Sequence, residues 1–448
     1  ISGIAIGDLD GNGSQSIVAA TTSGWIYAWN RAGKAREGFP VPPDPAYNTD
    51  DVPTPKTGAN GSRAPRRGNW SAPSLGNLEG NGKLDILMSS FDGHVYALRP
   101  DGTAVPGWPV KVTLPQSIKE TIPAGKLIHD PKLMATPAVG DVLGTGLDQV
   151  FLPGYDCNDA TNEVYVYGLQ SDGENHAGGP LLPGWPATVK SASGCYSQSI
   201  DFVNEGSNAA SIADFDGSGT KRVVFTPTGG FPKILNGDGT SYKDLFGACT
   251  TNTCKGVPPY YKTDVLTVGV TSQGAFGDLS GDGSPNYLQS TAGGLTLTSA
   301  LGDAGQASLI HVFDQAWDPV TGTEKFRIQN EVYGASGVLA TSGNLIFSGN
   351  HKGEFVAYGA LTLAMLQGGA TPATIWLLLG MGTVVAAIDG LAALRARQSG
   401  RLMGVLGWNL AYPLALLGLL STLATLVYAG GFGGVATISH AMSTEHGS

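Results

Sequence analysis

Five acidic, glycine-rich loops recur along the first 358 residues, each is followed by a short run of strand-forming residues, and two long apolar segments close the chain. Together they predict an all-β fold: a β-propeller with six blades visible, seven or eight in the full ring, followed by a C-terminal two-helix transmembrane hairpin. The bulk composition agrees. Glycine is abundant (66 of 448 residues) and only 14% of residues are charged, which excludes a disordered chain and suits many tight turns. A net charge of −10 and the lack of a basic stripe exclude nucleic acid as a partner.

The repeats carry most of the information. The loops are Asp8-Leu-Asp10-Gly-Asn12-Gly13, Asn77-Leu-Glu79-Gly-Asn81-Gly82, Asp141-Val-Leu143-Gly-Thr145-Gly146, Asp214-Phe-Asp216-Gly-Ser218-Gly219 and Asp278-Leu-Ser280-Gly-Asp282-Gly283. Their starts are 69, 64, 73 and 64 residues apart. A small, apolar run precedes each, such as Ala72-Pro-Ser-Leu75, and a β-rich run follows, such as Asp85-Ile-Leu-Met88 or Arg222-Val-Val-Phe225. Second strands follow at Gly24–Trp29 and Gly93–Leu98. Three units then close on a shared turn at Gly38-Phe-Pro40, Gly107-Trp-Pro109 and Gly184-Trp-Pro186. A sixth unit lacks the loop but keeps strands at Asn344–Ser348 and Glu354–Tyr358. The spacing of about 65 residues, holding four short strands, is that of one blade with generous loops.

Calcium takes six to eight oxygen ligands, and in D-x-D-G-[DN]-G-x-x-D the side chains at positions 1, 3, 5 and 9 converge on one point. Loop one offers Asp8, Asp10 and Asn12, with Ser16 at the closing position. Loop two offers Asn77, Glu79, Asn81 and Asp85; loop five offers Asp278, Ser280, Asp282 and Asn286. These three loops are expected to bind Ca2+. Loop four places Arg222 at the closing position and is expected to close by ion pairing with its aspartates. Loop three keeps only Asp141 and is expected to be metal-free. The competing reading of all five is a turn whose acids bond backbone N–H groups.

Five such loops at near-regular spacing, each between strands, resemble the FG-GAP (VCBS-type) repeats of the integrin α-subunit head and of bacterial surface proteins. The resemblance covers nearly all of residues 1–358. It implies a propeller with calcium loops on one rim and a role in binding or adhesion.

A short linker at 359–371 leads to the expected hairpin at 372–430 and a polar tail at 431–448. Pro372–Leu394 and Leu402–Tyr428 each exceed the ~20 residues a membrane-crossing helix needs. Arg395, Arg397 and Arg401 between them mark the cytoplasmic side, which places the propeller on the periplasmic or extracellular side. Asp389 lies near that inner boundary, where water or Arg395 solvates it. The chain opens at Ile1, inside a repeat, and is read as a fragment or a processed product, so the missing signal peptide does not bear on export. Four cysteines (Cys157, Cys195, Cys249, Cys254) allow three pairings; disulfides are expected from the extracytoplasmic reading, with Cys249 and Cys254 bracketing a small loop.

The expected function is a non-enzymatic, calcium-stabilised cell-surface or periplasmic binding or adhesion module, with an extracellular protein or polysaccharide as ligand and the C-terminal helices in the membrane. The alternative is a propeller enzyme, either a quinoprotein dehydrogenase or a polysaccharide lyase. Ala316-Trp-Asp318-Pro-Val-Thr-Gly322-Thr-Glu-Lys-Phe326 resembles the docking motif of the quinoproteins, with Phe in place of the final Trp. It occurs once and reads more economically as a strand–turn–strand. Trp25, Trp29, Trp108 and Trp185 are expected to pack blade against blade.

Overall fold

The computed structural model describes residues 3–47, 68–69, 71–128, 133–190, 209–227, 232–244, 274–278, 284–293, 311–321, 324–330, 338–340, 345–349 and 355–359. These build six antiparallel sheets in chain order within a compact unit spanning Ile1–Ala364. Sheet one joins Gly3–Gly7, Ser16–Ala20 and Ile26–Asn30. Sheet two joins Ser74–Gly76, Asp85–Ser89, His94–Leu98 and Val110–Lys111. Sheet three joins Ala138–Gly140, Gln149–Asn158, Glu163–Leu169 and Ala187–Lys190, with Leu127–Ile128 added beside Cys157. Sheet four joins Ser211–Ala213, Arg222–Phe225, Lys233–Leu235 and Ser241–Asp244. Sheet five joins Ala275–Gly277, Asn286–Gly293, His311–Trp317 and Glu324–Asn330. Sheet six joins Val338–Ala340, Leu345–Gly349 and Phe355–Gly359.

Each sheet is a meander, and the first strands of consecutive sheets lie beside one another in chain order. That is the arrangement of β-propeller blades. Helix is nearly absent among the described residues: one turn at Gln116–Lys119 and a 3-10 turn at Gly173–Asn175. None of it is long and apolar enough to cross a membrane. The segment 372–430, where the hairpin is expected, lies outside the described residues.

The second strand of each blade explains the apolar runs seen in the sequence. Side chains alternate across a strand, so a strand packed on both faces must be apolar throughout. In sheet two, Ile86 and Met88 enter a core shared with Val18 and Ala20 of sheet one, while Leu87 enters one shared with Val150 and Leu152 of sheet three. Phe151 turns the other way, toward Val223 and Phe225 of sheet four, and Val224 packs toward Tyr287 of sheet five.

Two devices lock blade to blade. First, the glycine ending a blade's first strand receives an apolar side chain from the next blade. A Cβ on Gly7 would collide with Leu75, one on Gly76 would collide with Val139, and one on Gly140 would press on Ile212. Second, each of the three Gly-aromatic-Pro turns that follow a third strand sits on the next blade's Gly-containing turn. Gly38, Gly107 and Gly184 all have positive φ, and a Cβ on any of them would collide with the carbonyl of Asp101, Asp172 or Asp238 respectively. Trp108 Nε1 donates to Ser171 O at 3.1 Å and Trp185 Nε1 to Gly237 O at 2.8 Å. The expectation of blade-to-blade packing therefore holds for Trp108 and Trp185. Trp25 is 38% exposed, and Trp29 stacks on Tyr27 of its own sheet.

Candidate functional site

The loop position by position is a set of local locks. At position 1, Asp8 accepts from Asn12 N (3.2 Å) and Gly13 N (2.5 Å), Asp141 from Thr145 N (2.9 Å) and Gly146 N (2.8 Å), and Asp214 from Gly219 N (2.8 Å). Burial pushes the Asp141 carboxyl up, but these N–H donors outweigh it and hold it below the ordinary carboxylate range. At position 5, Asn12, Asn81 and Ser218 each accept from the N–H two residues on, at 2.9, 2.9 and 3.2 Å. These are the bonds of the competing turn reading.

Position 3 was expected to hold metal in loops one and two. Instead an arginine from the same blade holds it. Arg36 grips Asp10 with two nitrogens at 2.9 and 2.7 Å, and its Nη1 also donates to Ser16 Oγ at position 9 (3.1 Å). Arg99 grips Glu79 in the same two-pronged way, at 2.9 and 2.5 Å. Both acids are held below their ordinary range chiefly by those arginine hydrogen bonds. In loop four, Arg222 Nη1 donates to Asp216 at 2.9 Å, one of the two aspartates the sequence predicts it to pair with, while its guanidinium lies 4.1 Å from the Tyr242 ring centre and 5.4 Å from that of Phe215. Loop three closes without charge: Gln149 Oε1 accepts from Val142 N (2.9 Å) and Leu143 N (3.1 Å).

Loop two departs from this scheme. Asp85 is 1% exposed, and one of its oxygens accepts from Leu78 N at 3.2 Å. Its other oxygen is buried with no partner, and so is Oδ1 of Asn77 at position 1. Burial pushes the Asp85 carboxyl up to about 6. Asn77 N donates to Asp148 of the next blade at 2.7 Å, which anchors position 1 from outside. In loop five, Asp278 and Asn286 are described, while Ser280 and Asp282 lie outside the described residues. Among the described residues no three His, Cys, Asp or Glu side chains group so as to hold a metal ion. The oxygens available in loop two come in part from amides.

Arg36 and Arg99 were missed in the sequence. Arg36 lies six residues after the third strand of its blade and Arg99 one residue after, so no fixed spacing links them to the acids 26 and 20 residues earlier. The available signal was only that each such blade carries an arginine in the turn on the loop's rim. Replacing Arg36 by glutamine is expected to lower stability by about 0.5–1 kcal/mol and to weaken the salt dependence of the melting temperature. The pair's contribution is present above the unfolded carboxylate pKa and is lost as pH falls through the lower folded value, so the variant should differ least from the parent in acid.

Asp318 Oδ1 accepts from Val320 N (2.8 Å) and Thr321 N (3.1 Å) and caps the turn between the third and fourth strands of sheet five. The strand–turn–strand reading of that motif holds. Cys157, buried on sheet three, is disulfide-bonded.

No family model matches the sequence, and no curated protein does. Solved structures similar to this chain include a europium-containing methanol dehydrogenase, at 13% identity over 80% of this chain and 67% of that one, with a TM-score of 0.48. The C-terminal domain of PilY1 from Pseudomonas aeruginosa matches at 10% identity over 79% and 80%, TM-score 0.41. The Dos1 propeller matches at 9% identity over 77% and 66%, TM-score 0.36. Likeness this distant carries no function across, and the fold assignment rests on the chain's own sheets.

Proposed function

We propose that the chain is a non-enzymatic binding module of the extracytoplasmic surface, stiffened by calcium at loop two and anchored in the membrane by residues 372–430. The observation that carries the calcium assignment is the pair of buried, partnerless oxygens on Asn77 and Asp85. A buried acceptor without a donor costs about 1–3 kcal/mol, and a divalent cation relieves that cost. Glu79 and Asn81 supply the remaining side-chain oxygens, with Glu79 shared with Arg99. Loop one fits a cation poorly, because Asp8 is committed to backbone N–H groups and Asp10 and Ser16 to Arg36. Loop five, through Asp278, Ser280, Asp282 and Asn286, is a second calcium site in this proposal.

Acids spent on holding their own loops make a rigid rim. Such a rim suits a platform that binds an extracellular protein or polysaccharide through side chains around it. The disulfide at Cys157 supports an oxidising compartment, with the Arg395–Arg401 connection cytoplasmic.

The test is a thermal melt with and without millimolar calcium. A rise in melting temperature with calcium supports the module. Quinone absorbance, or dye-linked oxidation of alcohols by the purified chain, would overturn it in favour of a dehydrogenase. The Asp85 carboxyl sharpens the melt. Its folded pKa is raised, so without calcium the folded chain binds more protons than the unfolded one between about pH 4 and 6, and stability falls as pH rises through that window. Asp85→Asn is expected to remove this fall, worth about 1–2 kcal/mol at neutral pH once water access to the loop is allowed for, and to abolish the calcium response of loop two.

A further inference from the structure

Blades two, three and four each meet the blade before them in the same way, and among the described residues no sheet is packed on the same surface of blade one. In sheets two to four the second-strand residues on the face turned to the preceding blade, Ile86, Met88, Val150, Leu152, Val223 and Phe225, are each 0% exposed, and Leu75, Val139 and Ile212 on the first strand are half-buried. The strand register puts Ile4, Ile6, Ile17, Ala19, Tyr27 and Trp29 on the equivalent face of sheet one. There, Ile4 is 56% and Ile6 66% exposed, and Ile17, Tyr27 and Trp29 are only half-buried. Side chains of this size on a sheet face are the core of an interface that is not yet made.

Both locking devices are also vacant at this face. Ile6 stands where Leu75, Val139 and Ile212 stand in their blades, and those three each press on the glycine of the blade before. The second device needs a turn glycine covered by a neighbour's carbonyl. Gly102, Gly173 and Gly239 would each bring a Cβ to 2.5–2.7 Å from the carbonyl of Gly38, Gly107 or Gly184. Gly33 occupies the same place in blade one, also has positive φ, and has nothing within 4 Å of that Cβ position. Three of the chain's Gly-aromatic-Pro turns follow a third strand, and all three are already docked on blades two, three and four. The fourth, Gly230-Phe-Pro232, falls between the second and third strands of sheet four, and none occurs after sheet six.

We infer that this face docks one further sheet of the same repeat, carried by the same protein, with a small residue opposite Ile6 and its own Gly-aromatic-Pro turn seated on Gly33. The inference does not depend on the calcium proposal.

It is tested with the full chain by joining a copy of its residues 72–134 ahead of Ile1. The graft is expected to raise the melting temperature by about 5 °C or more and to reduce binding of a hydrophobic dye. The same graft carrying Gly76→Phe and Gly107→Val in the copy should do neither. A graft without effect, or a disabled graft that works as well, would overturn the inference. In the unfused chain, Ile6→Glu should lower dye binding and shift the melt by less than about 1 °C, because an exposed side chain contributes little. A large drop would mean the face is already covered. Sedimentation of the unfused chain as a dimer that Ile6→Glu dissolves would assign the face to a second copy and contradict the inference.

Discussion

Changing Gly107 to alanine should lower the free energy of unfolding by about 3 kcal/mol, whereas Gly13→Ala should cost about 1 kcal/mol. The two glycines have almost the same backbone conformation, φ +85° and +84°, so the penalty for placing a Cβ in the left-handed region is common to both. They differ in surroundings. Gly13 has nothing within 4 Å of a Cβ, while at Gly107 the added methyl would collide with the Asp172 carbonyl and lie 3.1 Å from Asn175 N. Both obstacles are backbone of the next blade, so relief requires the Gly-Trp-Pro turn to lift off. That movement would also loosen the Trp108 bond to Ser171 and expose an indole now 6% exposed. Urea unfolding of the two variants measures the difference, and equal losses would show that the turn does not join the blades.

Arg222→Asp should destabilise the chain by about 2–3 kcal/mol without calcium and recover most of that loss in millimolar calcium. The arginine side chain is 12% exposed, ion-paired with Asp216 and stacked over Tyr242. A charge-assisted bond and a partly buried cation–π contact each contribute on the order of 1–2 kcal/mol. The aspartate loses both and adds like charge beside Asp214 and Asp216. It also completes the oxygen set at positions 1, 3, 5 and 9, and Asp214 already carries a buried oxygen with no partner. Arg222→Gln should show the loss without the recovery. Calcium rescue of the aspartate variant alone would establish that arginine stands in this loop where a cation otherwise would. An aspartate variant indifferent to calcium would contradict it.

The repeat was legible in the sequence because its signals are local. A loop of six residues with two glycines, then a run such as Ile86-Leu-Met88 buried on both faces, marks a blade whatever surrounds it. The shared Gly-aromatic-Pro turns were visible as a pattern, but their purpose was not, since the carbonyls they cover lie 54 to 65 residues ahead on the next blade. The candidate site was legible only in part. Loop four could be read because Arg222 sits inside the template, and loop three because Leu143 and Gln149 do. Loops one and two looked like ligand sets because the residues that neutralise them, Arg36 and Arg99, come from a different turn at unequal offsets. Nor could composition separate Asn77, whose oxygen is left over, from Asp8, whose oxygens are used by Asn12 and Gly13.

The difference between loops one and two is the centre of the account, and calcium-binding calorimetry on three proteins addresses it most directly: the parent chain, Asp85→Asn and Asp10→Asn. The prediction is a modest calcium affinity, about 10⁻⁴–10⁻³ M, as for extracellular modules. Asp85→Asn should remove the loop-two share of the heat, and Asp10→Asn should leave the isotherm unchanged because Asp10 belongs to Arg36. Binding that survives Asp85→Asn intact and is lost in Asp10→Asn would contradict the account.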